Sequence, residues 1–249
     1  MAQRLRLTVA YDGRPFAGWQ SQANGNAVQD HLERAFAAVT HGPIRVHGAG
    51  RTDAGVHALA QTAHVVLSAR TLQPEQWIAA LHTKLPATIR VLRCRYAAPS
   101  FHARFSAKGK IYRYRIWNDH VLPPLEDGRA WHIAMPLDFA TMRREAEAFV
   151  GRHDFTGFAA NRGHSVTDPY RTIDAVRLRT AGKCIVLEFS GNGFLYRMVR
   201  LMTGALVRAG QGKAPAGEIA CRLRQPVATS GTTRLVAPAD GLYLVRVRY

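Results

Sequence analysis

The chain has 249 residues, with 34 Lys and Arg against 17 Asp and Glu, giving a formal net charge of +17 and a pI near 10.8. A chain of this length can form one large or two moderate cores, and its composition of 47% hydrophobic and 20% charged residues excludes a disordered or low-complexity protein. Three cysteines, Cys94, Cys184 and Cys221, form no CxxC pair, and no run of eighteen apolar residues occurs, which argues against a disulfide framework, a zinc ribbon and a membrane span.

In chain order, residues 4–10 alternate Arg4, Arg6 and Thr8 with Leu5, Leu7 and Val9, the period of a strand with one buried face. Asn26 is placed to cap a helix carrying Val28, Leu32, Phe36 and Val39, with Gln29 in the capping-box position. A second helix is predicted to start at Pro74 and to bury Trp77, Ile78 and Leu81, between strands near 57–67 and 88–97. The second half repeats the succession. A strand near 110–117 precedes a helix near 137–150 with Phe139, Met142, Ala146 and Phe149 on one face. Strands near 170–179 and 183–190 lead to a helix at 194–209 bearing Phe194, Met198, Leu201, Met202 and Ala205, and a final strand, GLYLVRVRY, closes the chain.

The expected fold is therefore α+β: two similar domains with antiparallel sheets, 1–107 and 108–249, which a duplication would account for, and a cleft between them. Twelve basic and 5 acidic residues precede position 108, against 22 and 12 from it onward, so the halves carry +7 and +10. Such a shared positive field suits a polyanionic partner, because Lys and Arg at phosphates displace condensed counterions. The basic N-terminus lacks an apolar signal-peptide core, and the odd, unpaired cysteines fit a reducing compartment, so the expected location is the cytoplasm.

Few segments carry chemistry. No GxxxxGK[ST], HExxH or GxSxG occurs, and none of the 11 histidines falls at metal-ligand spacing beside Cys, Asp or Glu. Residues 47–58, HGAGRTDAGVHA, stand apart, with Gly48, Gly50 and Gly55 around Arg51, Thr52 and Asp53. Two readings are open on spacing alone. The segment is a surface turn with an Asx-type bond at Asp53, or its glycines admit a bulky substrate and Asp53 is a nucleophile or general base, oriented and kept ionised by Arg51.

HGAGRTDAGVHA resembles the signature of the TruA family of tRNA pseudouridine synthases. Four further stretches are similar to that family: YDGRPFAGWQSQ at 11–22 followed by Val28, Gln29, Leu32 and Glu33; FHARFSAKGKIYRY at 101–114; NGFLYRMVR at 192–200 with Gly204; and APADGLYLV at 237–245. Ala27 stands where the family often has Thr.

The resemblance implies an isomerase that converts uridine to pseudouridine at positions 38, 39 and 40 of the tRNA anticodon stem-loop, with no cofactor and no metal. It makes Asp53 the catalytic carboxylate, attacking C1′ or C6 or abstracting a ribose proton. Arg200, from the MVR element, becomes its cationic partner, and Arg51 holds phosphate or Asp53. Tyr112 becomes the residue that stacks on the flipped base, an extrusion that costs on the order of a few kcal/mol. Tyr114, Phe16 and Trp19 are read as packing residues. Arg90, Arg93, Arg95, Arg113 and Arg115 are further phosphate candidates, although alternate arginines on a strand also describe its wet face. The family implies a homodimer and no membrane partner. The rival from another class is a non-catalytic, structured RNA-binding protein, which has no need of an Asp inside a Gly-rich loop.

Overall fold

The computed structural model describes residues 3–23, 25–69, 72–160, 168–226 and 236–249. The chain divides into two units, Met1–Lys108 with Tyr243–Tyr249, and Gly109–Leu242.

The first unit is organised by β1 (Gln3–Tyr11), in which Leu5, Leu7 and Val9 have no solvent exposure while the intervening Arg and Thr side chains are half-buried. The alternation seen in the sequence is thus the two faces of a real strand. α1 (Val28–Thr40) follows, then the two-residue β2 (His47–Gly48), β3 (His57–Leu67), α2 (Pro74–His82) and β4 (Ile89–Ala97). β1 pairs antiparallel with both β3 and β4, and β2 pairs with β3. The helices bury Val28, Leu32, Ala35 and Phe36 from α1 and Trp77 and Leu81 from α2, and the rings of Phe36 and Trp77 meet at 5.5 Å. Ile78 is only half-buried.

The cap of α1 differs from the expected one. Ala27 is the N-cap, and its N–H donates to the Asp30 carboxylate at 2.9 Å, so Asp30 takes the position assigned to Gln29. Asn26 instead donates to the Pro15 carbonyl and meets His31, tying the preceding loop to the helix.

The second unit opens with β5 (Gly109–Trp117), whose Tyr112, Tyr114 and Ile116 face inward, and β6 (Trp131–His132) runs parallel to it. α3 (Phe139–Ala146), capped by Asp138 through Thr141 N, continues as a 3₁₀ turn to Phe149. β7 (Gly151–Asp154), β8 (Tyr170–Ala181) and β9 (Cys184–Gly191) complete an antiparallel order β5-β9-β8-β7. α4 (Met198–Gly210) is buried on nearly every side, as its composition of Met, Val, Leu and Ala requires, and α5 (Glu218–Arg224) follows it.

α4 starts four residues later than the hydrophobic pattern predicts. Arg197 has φ +56°, a left-handed conformation incompatible with a continuing helix, so Phe194 lies in the turn before the helix. Finally β10 (Leu242–Arg248) pairs parallel with β3 through Tyr243 and Leu244, which returns residues 243–249 to the first unit. No helix among the described residues is long and apolar enough to cross a membrane.

Candidate active site

The Asp53 loop is held by the backbone of a second loop, residues 12–20. Trp19 N donates to the Thr52 carbonyl at 3.1 Å, and Tyr11 Oη and Thr52 Oγ1 share a hydrogen bond of 2.8 Å. The approach is too close for side chains. A Cβ on Gly13 would lie 2.1 Å from the Val56 carbonyl oxygen, and one on Gly18, which has φ +95°, would lie 2.6 Å from that of Thr52. Burial raises the Tyr11 phenol far above its ordinary pKa, with the Thr52 contact opposing, so it stays protonated. Trp19 and Phe16 are 2% and 5% exposed, as packing residues should be.

On that support the chain turns tightly: Val56 N donates to the Asp53 carbonyl at 3.2 Å, and Gly55 has φ +79°. Thr52 points inward, Asp53 is half-buried and Arg51 is exposed, so the three consecutive side chains meet three different environments. Arg51 Nε donates to Gln20 Oε1 at 3.1 Å. Gln61, without solvent exposure, donates to the Gly50 carbonyl and fixes the loop's entry.

His57, at the loop's exit, is 3% exposed. Gly13 N donates to its Nδ1 at 3.1 Å, Asp12 Oδ1 lies 3.3 Å from the same nitrogen, and the Tyr243 ring stacks on it at 4.6 Å. The Arg14 guanidinium, bonded to Asp12, holds that carboxyl below its usual range against a smaller opposing effect of burial. Asp12 and Arg14 thus form a charge pair beside the loop. None of Gln20, Gln61 and Gly13 stood out as a site residue in the sequence. The one available signal was the density of Gly, Trp and Gln in residues 13–22.

In the second unit, Tyr112 lies on β5 opposite Phe189, 8% exposed, with the Phe194 ring edge-on at 5.1 Å. Tyr114, two residues on, has no exposure, and its hydroxyl donates to the Pro238 carbonyl at 2.7 Å. Burial pushes its phenol well above the ordinary value, Arg200 opposing and Asp240 adding to the shift. Arg200 is half-buried on the first turn of α4. Its Nε donates to the Ala237 carbonyl at 2.7 Å, while Ala237 N donates to the Arg200 carbonyl at 3.2 Å. It is an anchored cation rather than a solvated surface arginine, and its anchor, Ala237, opens the 237–245 segment singled out in the sequence.

Of the other arginines, Arg113 pairs with Glu188 across the strands at 2.7 Å and Arg115 with Glu126 at 2.7 Å. Both belong to local ion pairs. Arg93 and Arg95 are exposed on β4, and Arg90 donates to the Pro86 and Ile89 carbonyls. His47, His64 and His102 form a ring cluster with spacings of 4.7 to 5.7 Å, yet among the described residues no group of three or more His, Cys, Asp or Glu side chains is arranged to hold a metal ion. Burial raises the Cys94 thiol to about 12, which keeps it protonated and unreactive.

The model of a family described as tRNA pseudouridine synthase matches residues 7–106 and again 146–249, one segment in each half, in keeping with a duplicated arrangement. A tRNA pseudouridine synthase A from Akkermansia muciniphila is 45% identical over 252 residues, covering 99% of this chain and 95% of its own. Another from Zymomonas mobilis is 41% identical over 247 residues, covering 99% of both chains. A third, from Solidesulfovibrio magneticus, is 46% identical over 258 residues, covering 99% of this chain and 91% of the relative.

Proposed function

The chain belongs to the tRNA pseudouridine synthase family, and from that premise we propose that it isomerises uridine to pseudouridine at positions 38, 39 and 40 of the tRNA anticodon stem-loop. The observation that carries this reading is similarity over almost the whole chain, together with a GRTDAGV segment braced on both sides by backbone contacts.

The N1–C1′ glycosidic bond breaks, the freed uracil turns, and C5 bonds to C1′. C5 then loses its proton and N1 gains one, so substrate and product are isomers and no cofactor is consumed. Asp53 is the nucleophile. Its carboxylate projects from a turn whose backbone is already fixed, which lowers the reorganisation needed to reach the reacting atom. Arg51 and Arg200 supply positive charge toward the carboxylate and the substrate phosphates, each with its Nε bonded to an oxygen acceptor that restricts the guanidinium plane. Tyr112 offers the aromatic wall for the extruded base, with Phe194 setting the tilt of its ring.

In this reading a domain of residues 1–107 carries the Asp53 loop, and one of residues 108–249 carries Tyr112 and Arg200. The excess of positive charge serves the stem-loop backbone, which is recognised chiefly through shape, phosphates and 2′-hydroxyls. The working species in this reading is a cytoplasmic homodimer, expected at twice the 27.5 kDa chain mass in light scattering.

The test is release of tritium from tRNA labelled at uridine C5, which occurs only when C5 loses its proton. The purified chain should release label from substrates with uridine at 38 to 40. Tight tRNA binding with no release from any substrate would overturn catalysis and leave a structured RNA-binding protein.

A further inference from the structure

Arg51 is the outer end of a chain of side chains that runs into the body of the first unit. Arg51 Nε donates to Gln20 Oε1 at 3.1 Å, Gln20 Nε2 donates to Gln29 Oε1 at 2.9 Å, and Gln29 Nε2 donates to Glu33 Oε1 at 2.8 Å. The inner links are built in. Gln29 is 3% exposed, its Nε2 also donates to the Val46 carbonyl at 3.1 Å, and its Oε1 also accepts from Ser21 N at 3.1 Å. Glu33 Oε1 accepts from Val46 N at 3.0 Å as well, and its other oxygen lies 3.4 Å from the Arg45 guanidinium.

An amide can be turned over, so the polarity of such a chain must be set somewhere. Here Glu33 sets it. A carboxylate only accepts, and the Val46 carbonyl only accepts, so the Gln29 nitrogen must face both. Gln29 Oε1 is then left for two donors, Ser21 N and Gln20 Nε2. That in turn forces Gln20 to present its oxygen, not its nitrogen, to Arg51. Reversal at any link would set like atoms against each other.

We propose that Glu33, Gln29 and Gln20 are positioning residues that fix the guanidinium of Arg51 through this one-directional amide relay, and so hold the catalytic loop ready for substrate. The proposal rests on the placement of Arg51 in the active site. It also gives a task to the Gln20, Gln29 and Glu33 positions, whose spacing the catalytic scheme leaves unused.

A double-mutant cycle tests it, with pseudouridine formation in tRNA as the readout and thermal melts to confirm folding. Gln20→Met keeps the side-chain length and removes both polar atoms. It should lower kcat/KM about tenfold in the parent chain and less than twofold in an Arg51→Met background, and it should move whichever of kcat or KM Arg51→Met moves. Gln29→Met, one link deeper, should show the same pattern if it folds. Effects of Gln20→Met and Arg51→Met that multiply, or a fully active Gln20→Met chain beside an impaired Arg51→Met chain, would overturn the relay while leaving the functional reading intact. An Arg51→Met chain as active as the parent would overturn the placement of Arg51, and the relay with it.

Discussion

The loop that carries Asp53 and the helix turn that carries Arg200 hold the two proposed catalytic side chains by different means. The Asp53 loop and the 12–20 segment that holds it are themselves irregular. Two irregular segments meet backbone to backbone, with Gly13 and Gly18 at the points of contact, and the buried side chains of Tyr11 and Gln61 bond Thr52 Oγ1 and the Gly50 carbonyl. Around Arg200 the frame is a helix buried on nearly every side and a strand with two inward tyrosines, and one carbonyl at Ala237 fixes the guanidinium. The contrast teaches that the irregular site depends on space at single atoms, whereas the regular one depends on apolar packing that tolerates small changes.

That contrast can be broken at several points. Arg200→Ala should leave the fold intact, since the rest of α4 is packed by apolar residues, yet lower kcat/KM by about 100-fold or more, the scale for losing one preorganised charge at a reacting centre. Full activity in this variant would remove Arg200 from the site. Gly18→Ala places a methyl against the Thr52 carbonyl in a left-handed conformation and should cost about 1–3 kcal/mol in denaturant unfolding, with activity falling alongside. An unchanged midpoint would mean the loops can separate without cost. Tyr114→Phe removes the partner of the Pro238 carbonyl and should cost about 1 kcal/mol, with kcat little altered. A large loss of kcat there would make Tyr114 more than a packing residue.

A further expected effect, absent at neutral pH, is a pH dependence in the first unit. His64 is 2% exposed and accepts from Ala103 N, and burial, helped by His102, His47 and Arg4, pushes its pKa down to about 4 from 6.5. The unfolded chain therefore binds a proton that the folded one refuses, and stability present above pH 6.5 is lost as the pH falls toward 4. His64→Gln should flatten that decline by roughly 1.4 kcal/mol per pH unit at most, seen in melts across the range. An equally steep decline would assign it to other groups.

How far the sequence revealed all this follows from the range of the interactions. β1 and α2 were legible because period-two and period-four burial are local signals that the fold keeps. The start of α4 was not, because one left-handed residue, Arg197, interrupts an apolar pattern that runs through it unchanged. The cap of α1 lies one residue later than the Asn26–Gln29 spacing predicts, because Asp30 offers a carboxylate to the Ala27 N–H. Asp53, Arg51, Tyr112 and Arg200 came from resemblance to a family, since a Gly-rich turn with one carboxylate is ambiguous by itself. The bracing of the Asp53 loop by residues 12–20 was hidden for a simple reason. Glycines mark that backbone will come close to something, without naming the partner more than thirty residues away.

The role of Asp53 is tested most directly by Asp53→Asn, which keeps the size of the side chain and removes its charge, assayed in parallel for tRNA binding and for tritium release from C5-labelled uridine. The account predicts binding within about tenfold of the parent with no detectable release. Release at the parent's rate would contradict it, and loss of binding together with release in an unfolded chain would make Asp53 a structural residue of the turn.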